Sequence, residues 1–115
     1  MTRARALEVI REVYPTLKRA GFLVGLYGSL LLSDEGKDID LMAEPWRPDA
    51  SPAWAVGLLL ADGWKRGDEY EGAMGTHSVQ LSRDDDVLDI RFGHVLTRRA
   101  ETFRELLRLP HVRTA

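Results

Sequence analysis

The sequence contains no cysteine. That excludes disulfides and thiolate metal sites, and it suits a reducing compartment. The three histidines, His77, His94 and His111, lack the spacing of a transition-metal site. No apolar run approaches the ~18 residues of a membrane span. The N-terminal stretch MTRARALEVIREVY is charged and amphipathic, without the apolar centre of a secretory signal. The chain therefore reads as cytoplasmic. It shows no repeat, no low-complexity segment and no internal linker.

What is present is ordinary globular composition. There are 115 residues, 44% hydrophobic and 30% charged, which suits a single domain over 1–115 with a core of its own. The formal net charge of -2 hides an uneven spread. Residues 1–20 carry five basic and two acidic groups, residues 95–115 carry the same, and residues 21–94 carry six basic and fourteen acidic. Basic ends can attract nucleic acid or a nucleotide, although solvated helix faces are the simpler account of them.

Ala6, Leu7, Ile10, Val13, Tyr14 and Leu17 recur at helical spacing and predict an amphipathic helix over about 3–20, with Gly21 at its C-cap. The apolar run 22–28 reads as a buried strand. Ser29 reads as the N-cap of a short helical turn through Leu32. A second strand covers 38–43. A helix opens at Ser51-Pro52 and ends at Gly63, with Ala55, Leu58, Leu59 and Trp54 facing the core. Strands at 64–70 and 76–82 are joined by the turn EGAMG, and the turn RDDD leads to a fifth strand at 87–93. Thr97 caps a last helix whose apolar side is Ala100, Phe103, Leu106 and Leu107, stopped near Pro110. This order predicts the α+β (mixed α/β) class. The sheet is mixed and partly antiparallel, with about five strands and its helices mainly on one face.

The stretch YGSLLLSDEGKDIDLM carries the chemistry. Strand side chains alternate faces, so Asp38 and Asp40 share one side while Ile39 and Leu41 take the other. The fifth strand repeats the pattern: Leu88, Ile90 and Phe92 form an apolar face, and Val87, Asp89 and Arg91 form its opposite. If the second and fifth strands are neighbours, Asp89 joins Asp38 and Asp40. Mg²⁺ is the natural counter-charge for such carboxylates, and two such ions can activate an attacking oxygen and stabilise a leaving one. At Gly28 the backbone can approach a ligand closely, and Ser29 adds a hydroxyl, so Gly28-Ser29 reads as a phosphate-binding turn.

A Gly-Ser pair, a short spacer, an Asp-x-Asp with apolar flanks and a third aspartate on a later strand resemble the nucleotidyltransferase fold of the DNA polymerase beta superfamily. Small single-domain members, of minimal and phage type, are the most similar. The resemblance implies that Gly28 and Ser29 contact the triphosphate and that Asp38, Asp40 and Asp89 hold two Mg²⁺ ions (Mn²⁺ being an alternative). It implies transfer of a nucleoside monophosphate from a nucleoside triphosphate to a hydroxyl or phosphate acceptor, on a protein or an RNA, with loss of pyrophosphate. Lys37 and Arg91 are candidates for phosphate contact; for Arg91 an ion pair with Asp89 is the competing reading. Two features depart from the pattern. The spacer between Ser29 and Asp38 is short, and leucines follow Gly-Ser where minimal members often carry arginines.

Each part has a plainer reading. A Gly-Ser pair alone is a turn, and an Asp-x-Asp alone is a solvated strand end. Asp84-Asp85-Asp86 reads as a hairpin turn. His77 reads as a half-buried strand residue, and His94 as a residue that lines the cleft or simply follows the strand. Trp46, Trp54 and Trp64 read as packing residues, with Trp46 also within conceivable reach of a nucleobase. Two rival functions stand beside the enzyme: a partner-binding, antitoxin-like module on the same fold with weak or no catalysis, and a nucleic-acid binder using the basic ends.

Overall fold

The computed structural model describes residues 1–71 and 76–93. In chain order the elements are α1 (Arg3–Arg19), β1 (Phe22–Tyr27), α2 (Ser29–Leu32), β2 (Ile39–Pro45), α3 (Pro52–Ala61), β3 (Lys65–Glu71), β4 (His77–Arg83) and β5 (Asp86–Phe92). The last helix expected from Thr97, the residue His94 and the turn at 72–75 lie outside the described residues.

The five strands form one sheet in the order β1-β2-β5-β4-β3. β2 and β5 run parallel, and the other three neighbouring pairs are antiparallel. The architecture is therefore α+β with a mixed sheet, as the element order predicts. β4 and β5 form a tight hairpin in which Arg83 faces Asp86. Asp84 takes a positive φ of 53° there, a conformation aspartate tolerates better than most residues.

Alternation decides which face is buried. Ile39, Leu41 and Ala43 of β2, Leu88, Ile90 and Phe92 of β5, and Val79 and Leu81 of β4 lose essentially all solvent contact. They pack with Ala6, Val9, Val13 and Leu17 of α1 and with Ala55, Val56 and Leu59 of α3. Both long helices thus cover one face of the sheet. Thr2 caps α1 by accepting a hydrogen bond from the Arg5 backbone N–H at 3.1 Å. Pro15 stands inside α1 and removes one backbone donor, yet Val13, Thr16 and Leu17 on either side of it are buried, and that packing keeps the helix continuous.

Three expectations change. Trp54 is 43% exposed and points away from the core; Ala55, Val56 and Leu59 already fill the buried stripe of α3. Trp46 is 50% exposed, with the Arg47 guanidinium 5.3 Å from its ring centre. It follows the far end of β2, about 20 Å along the strand from Asp40 at ~3.3 Å per residue. Asp86 does not simply turn the chain. It opens β5 buried, and Arg5 of α1 grips both its oxygens, through Nε to Oδ1 at 3.2 Å and Nη2 to Oδ2 at 2.7 Å. Trp64 does pack: it is buried, and the Arg83 guanidinium lies 4.4 Å from its ring centre.

Ile90 is fully buried between its register partners Leu41 and Val79. Ile90→Ala should cost about 2–5 kcal/mol of stability, read from urea unfolding. A loss well under ~1 kcal/mol would contradict the packing described here.

Candidate active site

The uncovered face of the sheet carries the polar alternates. On β1 the last residue, Tyr27, stands opposite Asp40 of β2, and Asp40 stands opposite Asp89 of β5. Parallel pairing of β2 with β5 thus brings the second and third candidate aspartates side by side. Asp38 lies one residue before β2, two positions from Asp40, with Ile39 between them buried on the helix side. Burial raises the Asp40 pKa above the usual carboxylate range, and the charges of Asp89 and Asp38 raise it further. Burial likewise raises Asp89, and Asp38 adds to it, against the opposing effects of a Tyr70 hydrogen bond and Arg91. Asp40 and Asp89 are thus each disfavoured as anions by burial and by a neighbouring carboxylate. Among the described residues no lysine or arginine forms a salt bridge with any of them. Nor do three or more His, Asp or Glu side chains stand in the spacing of a formed metal site, so the carboxylates share a region without closing into a chelate.

Gly28 joins β1 to α2. Its φ of 77° and ψ of -157° lie in a region that is essentially glycine's alone. A Cβ placed there would stand 3.0 Å from Asp40 Cγ and closer still to its carboxylate. The sequence reading put the helix cap at Ser29; in the structure Gly28 is the cap and Ser29 is the first helical residue. Ser29 is exposed, while Leu30 is buried and roots the turn in the core. Lys37 is exposed and directly precedes Asp38.

Arg91 does not pair with Asp89. Its guanidinium lies over the Tyr27 ring, 5.5 Å from the centre, and its Nε is buried without a hydrogen-bond partner. Two site neighbours escaped the sequence reading. Tyr27 lies beside Asp40 and beneath Arg91. Tyr70 of β3 donates its hydroxyl to Asp89 Oδ2 at 3.4 Å. Parity on β1 was the available signal for Tyr27. Tyr70 needed the order of β3, β4 and β5, which no local pattern reveals.

Comparison with solved structures decides the fold. A cytoplasmic RNA terminal U-transferase superposes with a TM-score of 0.62 and 22% identity, over 91% of this chain and 32% of its own. Cid1, a protein with RNA terminal uridylyl transferase activity, superposes with a TM-score of 0.64 and 20% identity, over 90% of this chain and 36% of its own. The chain thus shares the nucleotidyltransferase-like fold of these structures. The chain spans about a third of the length of these solved structures. No protein family and no curated protein matches the sequence.

Within a nucleotidyltransferase fold, the residues present suit a hard divalent cation. The donor set is all carboxylate oxygen, Asp89 Oδ1 is buried without a partner, and the missing side chain of Gly28 lets the Asp40 carboxylate lie directly against the backbone of the turn.

The raised pKa values have a definite sign. In the fold the charged forms of Asp40 and Asp89 are disfavoured, so the metal-free protein loses stability as pH rises through their raised values and regains it as pH falls. Asp40→Asn should therefore raise the melting temperature at pH 7 without metal. That gain should fade as pH falls below the unfolded aspartate value near ~3.9, where the wild-type carboxyl becomes protonated in both states. A variant that melts lower than wild type at both ends of the range would show that Asp40 is a structural hydrogen-bond acceptor instead.

Proposed function

We propose that this protein is a metal-dependent nucleotidyltransferase. The observation that carries the reading is the cross-strand pairing of two aspartates without a salt-bridge partner among the described residues, Asp40 and Asp89, beside a glycine against which the Asp40 carboxylate packs closely. Asp38, Asp40 and Asp89 would hold divalent cations, Mg²⁺ or Mn²⁺. Bound there, such ions supply charge stabilisation for an attacking and a leaving oxygen. Gly28 and Ser29 would bind the triphosphate of the substrate, with Lys37 and Arg91 adding positive charge at its edge. Asp89, with its raised proton affinity, is the candidate to orient and deprotonate the acceptor hydroxyl. A bond forms from that oxygen to the α-phosphorus, and the bond to the β-phosphate breaks with loss of pyrophosphate. Positioning and electrostatics carry most of such a reaction. The RNA terminal uridylyl activity of Cid1 and its counterpart makes an RNA 3′ hydroxyl the first acceptor to try, although a protein hydroxyl serves the same chemistry.

The partner-binding alternative keeps one observation in its favour. Leu31 and Leu32, directly behind Gly28-Ser29, are 55% and 88% exposed, and apolar residues so placed suit a protein surface better than a triphosphate.

Incubation with Mg²⁺ or Mn²⁺, each of the four triphosphates and an RNA oligonucleotide should release pyrophosphate and lengthen the oligonucleotide. Asp40→Asn and Asp89→Asn should each lower the rate about 100-fold or more, in line with removal of a key electrostatic group. Metal with triphosphate at a hundred times its Kd should stabilise the wild type by ~2.7 kcal/mol. No turnover and no stabilisation with any triphosphate would favour the binding module.

Gly28→Ala gives an independent check. The left-handed backbone should cost on the order of 1–3 kcal/mol, and the new methyl group should weaken triphosphate binding beyond that loss. Calorimetry on the folded variant reads the second effect separately, and unchanged affinity would make the Gly28 turn purely structural.

A further inference from the structure

The segment between Ser29 and Asp38 links the two halves of the candidate site, and it has little to hold it. α2 is four residues long, too short to persist alone, and Leu30 is its one buried side chain. The restraint comes from residues 1–3. The Gly36 backbone N–H donates to the Met1 carbonyl at 3.0 Å, and that of Arg3 donates to the Asp34 carbonyl at 2.9 Å. Thr2 and Glu35 form an isolated antiparallel bridge. The Arg3 side chain then commits all three guanidinium nitrogens to the same segment. Nε donates to the Leu30 carbonyl at 2.9 Å, Nη2 donates to the Leu31 carbonyl at 3.4 Å, and Nη1 pairs with Asp34 Oδ1 at 3.3 Å.

The carbonyls at a helix end lack intrahelical partners, and a guanidinium is a planar fork suited to several acceptors at once. Arg3 therefore finishes α2 from outside. It stands at the start of α1, whose Ala6 and Val9 are fully buried, so the fork transmits the position of a fixed helix to a loosely rooted turn. Arg5, two residues on, has different partners: Asp86 and Glu8.

We propose that Arg3 is a positioning residue for the triphosphate half of the site: it touches no reacting atom, and it fixes the segment that carries Gly28 and Ser29 toward Asp40. The proposal rests on the nucleotidyltransferase reading of Gly28-Ser29.

The test compares wild type, Arg3→Ala, Arg3→Lys and Arg5→Ala. Hydrogen exchange is measured at the amides of residues 30–37, and affinity is measured for inorganic tripolyphosphate with Mn²⁺, a probe that needs no knowledge of the base. In Arg3→Ala, exchange at 30–37 should quicken about tenfold and the probe's Kd should rise about tenfold, as expected for losing charge-assisted hydrogen bonds. Its melting temperature should stay near wild type, because exposed ion pairs contribute little to global stability. Arg3→Lys, which keeps one charged donor, should recover part of both effects. Arg5→Ala should melt lower, since it strands the buried Asp86, while its probe affinity and its exchange at 30–37 match wild type. Unchanged exchange at 30–37 in Arg3→Ala overturns the proposal whatever the affinity. Faster exchange with unchanged affinity also overturns it, leaving Arg3 a structural strap. A wild type that does not bind the probe overturns the functional reading itself, and that failure is seen before any substitution is made.

Discussion

The parallel pairing of β2 with β5 is the constraint from which the rest follows. It sets Ile39 against Leu88 and Leu41 against Ile90 on one face, which supplies the centre of the core. By the same alternation it sets Asp40 against Asp89 on the other. A shift of one residue would turn the apolar set outward and bury the acids under the helices. The hydrophobic effect on the covered face thus holds two like charges together on the open one, and the repulsion between them is small beside the burial of eight strand residues.

The connections around this pair follow from it. Two parallel neighbours need a long crossover, and here the chain passes through α3 and the β3–β4 hairpin before returning as β5. The crossover is tied back to α1 at its end: Arg5 holds Asp86 at the start of β5, and Arg83 at the end of β4 reaches Glu12 at 2.7 Å while lying over Trp64. These contacts lie at the end of the hairpin where β5 begins, three residues before Asp89. They anchor the entry of β5 into the sheet against α1.

Much of this was legible in the sequence because it depends on short periods. Helical spacing gave α1 to within a residue or two, period-two alternation separated Ile39 and Leu41 from Asp40, and glycine at 28 marked a backbone that other residues avoid. What stayed hidden depends on pairs far apart in the chain. Arg5 and Asp86 are 81 residues apart, Arg3 and Leu30 are 27 apart, and Tyr70 and Asp89 are 19 apart. Asp86 looked like one acid of a solvated turn because its neighbours Asp84 and Asp85 are that. Arg91 looked like the partner of Asp89 because the two share a strand face, but the aromatic ring of Tyr27, two strands away across β2, took its guanidinium instead.

The two halves of the candidate site are consequently held by different physics. Asp40 and Asp89 stand on strands flanked by fully buried residues on either side in sequence, so their backbone moves only if the core does. Gly28, Ser29 and Lys37 stand on a segment held by Leu30 and a handful of polar contacts, and such segments open at far lower cost than a core strand. The carboxylate half is thus preorganised and the phosphate half adaptable. A charged ligand seated between them would contribute most where the fold contributes least: it would neutralise the repulsion on the rigid side and order the turn on the soft side. Binding and local ordering would then be one event, and the affinity of the site would depend as much on how well the turn is held beforehand as on the carboxylates themselves.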